Sequence, residues 1–307
     1  MIDSIDQLIL DQLQIDCRTS SQDLAVLSGL SANEVMKRIE NLQSSGIIRE
    51  FLVILSPLMT EENSVIAILE FDTDPDEKHL VKRLGDNPSV HRVSRLLDGR
   101  YLVLGAYFNQ EELRSLTLHL CEHHGIRNVE LHSRFLHYWG GRIELTNTSR
   151  EILKCLARNP RMPVSEIAKE TGFHSSAIKE SIDLMRKSEA VLFTLGLGDA
   201  LNAGSIEVFT KVQWNVGTTS KEQLLDWLQS KFALLNVDDY VSATDPTLFF
   251  KFFVKHVCEV EAVVREIKES GLAVTVEPLI LSPGTTFPNP RARRVHQVLE
   301  ETGFSLD

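Results

Sequence analysis

Two rhythms of apolar and polar positions alternate along this chain, and each occurs twice. In residues 5–48, Ile5, Leu8, Ile9 and Leu13 recur at the spacing of one helical face, behind Asp3 or Ser4 as a cap. Ser20 and Ser21 open a second short helix through Leu24, Ala25 and Leu27, and Gly29 follows where a left-handed residue is needed to end it. Ser31 with Glu34 three residues on makes a capping box for a third helix whose inner face is Val35, Ile39 and Leu42. Gly46-Ile47-Ile48 and then Phe51–Leu55 read as a turn and a wing strand. The small Ala25 lets the second and third helices approach closely. Together these signals predict a winged helix-turn-helix.

Residues 148–191 repeat the pattern without a gap at a constant offset of 143. Ile9, Leu10 and Leu13 match Ile152, Leu153 and Leu156; Arg18 matches Arg161; Leu24, Ala25 and Gly29 match Ile167, Ala168 and Gly172; Val35 and Ile39 match Ile178 and Ile182. An ungapped repeat of apolar positions means two copies of one folded unit.

The second rhythm follows each copy. SVIAILEF (64–71) is a strand, 76–85 a short helix, Val90–Leu97 and Tyr101–Phe108 strands about Asp98-Gly99, Glu111–His124 a helix and Asn128–Leu136 a strand. That order, βαββαβ, is a ferredoxin-like split unit. It returns as Val208–Trp214, Lys221–Ser230, Val237–Ala243, Leu248–Val254, Glu259–Ser270 and Ala273–Ile280. The expected fold class is α+β, with winged helix-turn-helix domains at 1–60 and 143–200, ferredoxin-like domains at 61–140 and 204–283, and a tail at 284–307 whose Arg291–Thr302 suits a helix. A ferredoxin-like sheet has helices on one face only. The alternate residues Val65, Ala67, Leu69 and Leu102, Leu104, Ala106 are expected on the other face, which needs a cover in water. A second sheet, from the same chain or from a second copy, supplies it. The expectation is a homodimer or larger even assembly.

Composition changes the picture in two ways. No apolar run is long enough to span a membrane, and Cys17, Cys121, Cys155 and Cys258 are dispersed without a CxxC pair. These features fit a cytoplasmic protein with free thiols and no membrane partner. The formal net charge is −11. An acidic protein binds a polyanion only where charge is locally favourable. Residues 1–60 hold four basic and eight acidic side chains, whereas residues 143–200 hold eight of each. In the first copy, however, Lys37, Arg38 and Arg49 lie on the third helix and wing.

The first copy resembles the Lrp/AsnC (feast/famine) family of transcription regulators. The resemblance is carried by Ile5-Asp6, Ile9-Leu10, Leu13-Gln14, Asp16, Arg18, Ser20, Asp23-Leu24-Ala25, Gly29-Leu30-Ser31, Val35, Arg38-Ile39, Leu42 and Gly46-Ile47-Ile48. The second copy keeps the apolar skeleton but has His174, Ser181 and Glu189 in place of Ser31, Arg38 and Gly46. The resemblance implies a sequence-specific regulator that binds double-stranded DNA. A winged helix-turn-helix sets the start of its third helix against base edges in the major groove. The expected readers are Ser31, Ala32, Asn33, Met36 and Lys37, with Arg38 and Arg49 on phosphates. His174, Ser175, Ser176 and Lys179 form the matching face of the second head, expected to position rather than to read.

The resemblance also implies an effector pocket at the ferredoxin-like interface, near a Gly-x-Tyr-Asp turn. Here the turn is Gly99-Arg100-Tyr101-Leu102, lacking the final acid. That departure weakens recognition of an amino-acid ammonium, while Arg100 suits a carboxylate. The expected effector is an amino acid or other small carboxylate beside Gly99, Arg100 and Tyr101. The second copy has Thr244-Asp245-Pro246-Thr247 there and reads as a packing partner.

Two alternatives stay open. His119, Cys121, His123 and His124 gather near a helix end, with His119 and His123 on one face, which would suit a metal-responsive regulator. No metal site and no cofactor is assigned from them. Some heme-biosynthesis (siroheme-type) tetrapyrrole decarboxylases share the two-domain build, with a His- and Tyr-rich stretch at the hairpin. SVHRVSRLLDGRYLVLGAYF keeps His91 and Tyr101 without the denser pattern. No phosphate loop or nucleophile elbow is present, and the expectation is a non-enzyme.

Overall fold

A computed structural model describes residues 3–133, 140–198, 205–232 and 238–300. The fold is α+β, and its four domains gather into two compact units, each built from separate stretches of chain.

One unit contains both helix-turn-helix copies and the C-terminal helix. In the first head, α1 (Ser4–Ile15) starts at Asp3, whose carboxylate accepts from the main-chain N–H of Ile5 and Asp6. Next come α2 (Ser21–Ser28), which ends on left-handed Gly29 (φ 71°), and α3 (Ala32–Ser44), whose predicted Ser31/Glu34 capping box forms. Ile9, Leu10, Leu13, Leu24, Val35, Ile39 and Leu42 are buried together. Each such side chain taken out of water contributes about 1.5–3 kcal/mol. The second head repeats the design with α7 (Asn147–Arg158), α8 (Val164–Thr171) and α9 (Ser175–Lys187). Its α9 starts at His174 without a side-chain cap, as the loss of Ser31 implies.

A one-turn helix, α4 (Pro57–Thr60), follows the first wing, and the wings do not stand alone. Strand β1 (Ile48–Leu55) pairs antiparallel with β6 (Val191–Leu197), Leu52 opposite Thr194, so the two heads share one two-stranded sheet. The pairing satisfies the main-chain donors and acceptors along one edge of each wing. The tail also departs from a simple extension. Helix α12 (Pro290–Glu300) inserts Val295, Val298 and Leu299 into the core of the second head. The expected end at Thr302 lies outside the described residues.

The other unit holds both βαββαβ copies. The first consists of β2 (Asn63–Phe71), α5 (Glu77–Gly85), β3 (Val90–Arg95), β4 (Tyr101–Tyr107), α6 (Gln110–Cys121) and β5 (Ile126–Ser133). Its strand order is β5-β2-β4-β3, extended at the β3 edge by β11 (Thr285–Thr286). The second consists of β7 (Ile206–Gln213), α10 (Lys221–Lys231), β8 (Asp238–Val241), β9 (Thr247–Val254), α11 (Val257–Glu269) and β10 (Thr275–Ile280), ordered β10-β7-β9-β8. The expected continuation of β5 to Leu136 and the start of β8 at Val237 lie outside the described residues.

The two sheets are packed on each other within the unit. Ile66, Ile68, Leu96 and Leu102 meet Phe209, Phe249, Leu279 and Leu281. One expectation is corrected here. Val65, Ala67 and Leu69 belong to the helix-covered core with Leu80, Leu84, Leu116 and Leu120, not to the sheet–sheet face. Strand β2 is buried on both sides, so its unbroken apolar run carries no period-two signal to tell one face from the other. On β4, Leu102 and Leu104 do face the seam, as expected.

Candidate nucleic-acid interface

The start of α3 is rigidly made. Ser31 Oγ accepts from Glu34 N (3.3 Å) and donates to Glu34 Oε2 (2.7 Å), while Ser31 N donates to the same carboxylate (2.8 Å). These bonds to the Ser31 hydroxyl and main chain hold the Glu34 carboxyl below its ordinary pKa. Ser31 is thereby committed to capping as well as lying at the exposed end. Beyond it, Asn33, Met36 and Lys37 project outward, Met36 with 47% of its surface exposed, while Ala32 is half-buried. A methionine so exposed is not a core residue, and it stands one turn from the cap. Lys37 has no ion-pair partner among the described residues.

Arg38 behaves differently. Its Nη1 donates to Asp3 Oδ2 (2.8 Å) and Asp6 Oδ1 (2.7 Å), tying α3 to the first turn of α1. A phosphate would have to displace one of these carboxylates. Arg49, on the exposed side of the wing, lies against its neighbour Glu50 at 2.9 Å. Between α3, the wing and the start of α1 runs a groove of about 550 Å³ lined by Leu30, Lys37, Asn41 and Ser45 among others. Of the three expected cations, Lys37 is thus the one held by no carboxylate.

In the second head His174, Ser175, Ser176 and Lys179 are all exposed on the matching face, beside exposed Glu180 and Asp183. Arg186 is drawn back to the first head, where it pairs with Asp16 Oδ2 at 2.8 Å. No spacing announces this cross-head bond, since Asp16 and Arg186 sit at unrelated positions of the repeat.

The expected effector residues do not converge. Gly99 makes the hairpin turn at φ 91°, where a Cβ would strain the backbone. Arg100 Nη2 donates to Asp98 Oδ2 (2.5 Å) and to Glu277 Oε1 (2.6 Å), and these carboxylates raise its pKa further. Tyr101, the next residue along the strand, points to the opposite face. It is fully buried in the helix-covered core, edge-on to Phe71 at 5.8 Å. Adjacent strand residues face opposite ways, so one pocket cannot hold both side chains.

A charged cluster escaped the sequence reading altogether. His132, 3% exposed, lies 2.8 Å from Glu130 through Nε2, and 3.2 Å from Ser242 and 3.3 Å from Asp245 through Nδ1. Lys211 closes the group on Glu130. The His132 hydrogen bond, then Lys211, depresses the Glu130 carboxyl to about 2. Only Glu130 and His132 are near in sequence; Lys211 comes from β7 and Ser242 and Asp245 from the turn between β8 and β9, so no spacing announced them. The His119 and His123 rings stack edge-on at 5.3 Å, but His119 bonds the Arg83 carbonyl and Cys121 is exposed. Among the described residues no group of three or more His, Cys, Asp and Glu could hold a metal ion.

Comparison with known proteins now bears on these heads. The model of the AsnC-type helix-turn-helix domain matches residues 2–43 and again 145–186. The transcriptional regulator LrpA of Pyrococcus abyssi is 34% identical over 77 residues, a stretch that is 25% of this chain and 54% of LrpA. An uncharacterised helix-turn-helix regulator of Pyrococcus horikoshii is 26% identical over 137 residues, covering 43% of this chain and 88% of its own length. The matched stretch thus spans about half of LrpA. Among solved structures the siroheme decarboxylase NirDL aligns with a TM-score of 0.62 and 15% identity, over 97% of this chain and 100% of its own. That likeness shows a shared fold for the whole tandem arrangement. The chain thus carries two matches to the AsnC-type helix-turn-helix domain and is similar to Lrp/AsnC regulators over part of its length.

Proposed function

We propose that this chain is a sequence-specific transcription regulator that binds double-stranded DNA through its first head. The observation that carries the reading is the exposed start of α3 within an AsnC-type domain, where Asn33, Met36 and Lys37 have open surroundings. Their chemistry suits a major groove. An amide can bridge adenine N6 and N7, an apolar tip can meet a thymine methyl, and an ammonium can meet a phosphate. Arg49 supports the backbone contact, and Arg38 sets the angle between α1 and α3. The second head, with His174, Ser175, Ser176 and Lys179, adds affinity without strong base preference. A small carboxylate effector beside Arg100 would have to compete with Asp98 and Glu277, so amino acids and simple carboxylates are to be screened by thermal shift with Arg100→Ala as control. Selection of bound sequences from a random duplex pool by the full chain tests the main reading. Enrichment of a common motif is expected, and recovery of an unenriched pool would refute it.

A second reading has one observation in its favour: a fold neighbour that covers 97% of the chain is a siroheme decarboxylase. On that reading the chain binds a tetrapyrrole. Titration with an iron tetrapyrrole, followed by its visible absorbance, separates the two, since a regulator of the first kind leaves the spectrum unchanged.

A further inference from the structure

The two ferredoxin-like copies close on each other at two corners, and the repeat makes the corners comparable. Ser133 on β5 stands opposite Val65, and Ile280 on β10 stands opposite Val208, which is Val65 moved on by the repeat offset. Each closes its sheet against a turn of the other copy. The Leu97 N–H donates to the Ile280 carbonyl at 3.0 Å, and the Ala243 N–H donates to the Ser133 carbonyl at 2.7 Å. Glu277 and Glu130 match in the same way, opposite Lys211 and Ile68. At each corner a cation spans from that glutamate to an aspartate of the facing turn. At the first corner it is Arg100, between Glu277 Oε1 (2.6 Å) and Asp98 Oδ2 (2.5 Å). At the second it is His132, between Glu130 Oε1 through Nε2 (2.8 Å) and Asp245 Oδ1 through Nδ1 (3.3 Å). A guanidinium stays charged throughout, whereas an imidazole gains and loses its charge near neutrality. The Arg100 corner is also tied by the chain that follows β10. Leu281 bridges to Leu96, and the Ser282 N–H donates to the Arg95 carbonyl at 2.8 Å.

We propose that the β5 corner is a pH-sensitive latch, shut while the His132 ring carries both N–H protons and loosened when it loses one, with the Arg100 corner as its permanently shut counterpart. The hydrogen bonds define the shut state. An ionised carboxylate only accepts, so a ring with a carboxylate on each nitrogen donates from both, which only the imidazolium can do. His132 is buried, edge-on to Phe249 at 4.9 Å, so water does not stand in for a lost partner. The groups that face it, among the described residues, are Glu130 from its own strand and Ser242 and Asp245 from the turn before β9. Lys211 from β7 bonds the same Glu130. A neutral ring has one N–H for two carboxylates. If it keeps the Nε2 proton, the bond to Asp245 is gone. If it keeps the Nδ1 proton, that bond remains but has lost its charge, which is about half the strength of such a bond. Either way the attraction between β5 and the turn falls, and the neighbouring Ala243–Ser133 bond opens more often. The shut state holds the extra proton, so closure is favoured in mild acid and weakens as pH rises through neutrality. That is the opposite direction from the Glu130 carboxyl, which loses its contribution only in acid. The latch stands apart from whatever the heads bind.

The test is hydrogen exchange of the full chain across about pH 5.5–8.5, a window centred on histidine and clear of the carboxyls. Protection is read by fragment mass spectrometry at the Ala243 and Leu97 amides, each corrected for the pH dependence of unprotected exchange. Leu97 is the internal reference, since it closes the matching corner under a fixed charge. In the wild type the protection of Ala243 relative to Leu97 is expected to fall at least roughly fivefold from the acid to the alkaline end, the difference between a charged and a neutral hydrogen bond. Asp245→Asn keeps an acceptor in the turn and also offers an amide N–H to a neutral ring, so its ratio should stay flat. Should circular dichroism show that variant misfolded, Asp245→Ser is read in its place under the same expectation. A ratio that stays flat in the wild type, or that falls as steeply in the folded variant, overturns the proposal.

Discussion

Arg18 and Arg161 hold the same place in the two copies, and each guanidinium lies over a phenylalanine of the other copy's wing. Arg18 stands 5.7 Å from the ring centre of Phe193 and Arg161 stands 5.1 Å from that of Phe51. The relation is reciprocal but unequal. Arg18 also donates to the main-chain oxygens of Pro160 (2.5 Å) and Met162 (3.0 Å), whereas the buried Nη1 of Arg161 has no hydrogen-bond partner among the described residues. Charged donors to carbonyls are worth about 1.5–3 kcal/mol and a cation over a ring about 0.5–2. Arg18→Ala is therefore expected to lower the stability of the paired heads by about 2–4 kcal/mol and Arg161→Ala by about 1–2 kcal/mol, read from urea midpoints. Equal losses would show that the carbonyl bonds add nothing.

Lys37 and Arg38, neighbours on α3, should separate cleanly. Lys37→Ala is expected to weaken binding to every duplex and to flatten the salt dependence by about one unit, with little change in melting temperature. Arg38→Ala is expected to lower the melting temperature of the first head slightly, since it loses both carboxylate partners but the pairing is solvent-screened. Its salt slope should match that of the wild type. Filter-binding titrations at several salt concentrations check both.

Stability should fall in acid through Glu130. Its carboxyl titrates near 2 in the folded chain, against an ordinary value of 4.5. A depressed carboxyl contributes its full stabilisation above the ordinary value and loses it as pH falls from there toward 2. Discounted for solvent screening of a half-buried carboxyl, the expected contribution is on the order of 1–2 kcal/mol. Glu130→Gln should remove that acid limb from the stability profile and lower stability at neutral pH, where Lys211 loses its carboxylate. A profile of the same shape in the variant would assign the acid loss to other groups.

Glu189 holds a left-handed backbone at φ 55°, where its counterpart Gly46 has φ 73°. A residue with a Cβ is strained there by roughly 1 kcal/mol. Glu189→Gly should leave the second head as stable or up to about 1 kcal/mol more stable, and Gly46→Glu should cost the first head a similar amount. Thermal melting of the two variants gives the comparison.

The four thiols should divide by burial. Cys121 and Cys258 are exposed, while Cys17 and Cys155 are buried, and burial pushes the Cys17 thiol up to about 12. Brief alkylation of the native chain near neutral pH should modify the first pair and spare the second, as peptide mass mapping would show. Rapid labelling of Cys17 would mean that the heads open at the seam.

The three-helix heads and the βαββαβ order were legible because each rests on local periodicity, on the Ser31 and Glu34 cap, and on a repeat that could be laid over itself. What stayed hidden is long-range. Nothing in Ile48–Leu55 says that its partner is Val191–Leu197, and nothing in Arg186 says that it reaches Asp16. Lys211 and Asp245 join His132 only once two sheets have closed. The tail was legible as a helix, but not its destination, because Val295, Val298 and Leu299 would suit any apolar groove. The expected ligand trio of Gly99, Arg100 and Tyr101 failed to converge for a simpler reason: neighbours on a strand face apart.

The shared sheet of β1 and β6 joins two heads that are alike in shape and unlike in side chains. Two identical heads ask for a palindrome, which reads the same from either end. On the proposed reading one head reads bases and the other grips the backbone without strong preference, so a bound site has a left and a right. A duplex held this way would carry orientation. Reversing the site beside a promoter would then change what lies upstream and downstream of each head, a distinction that a symmetric pair cannot make.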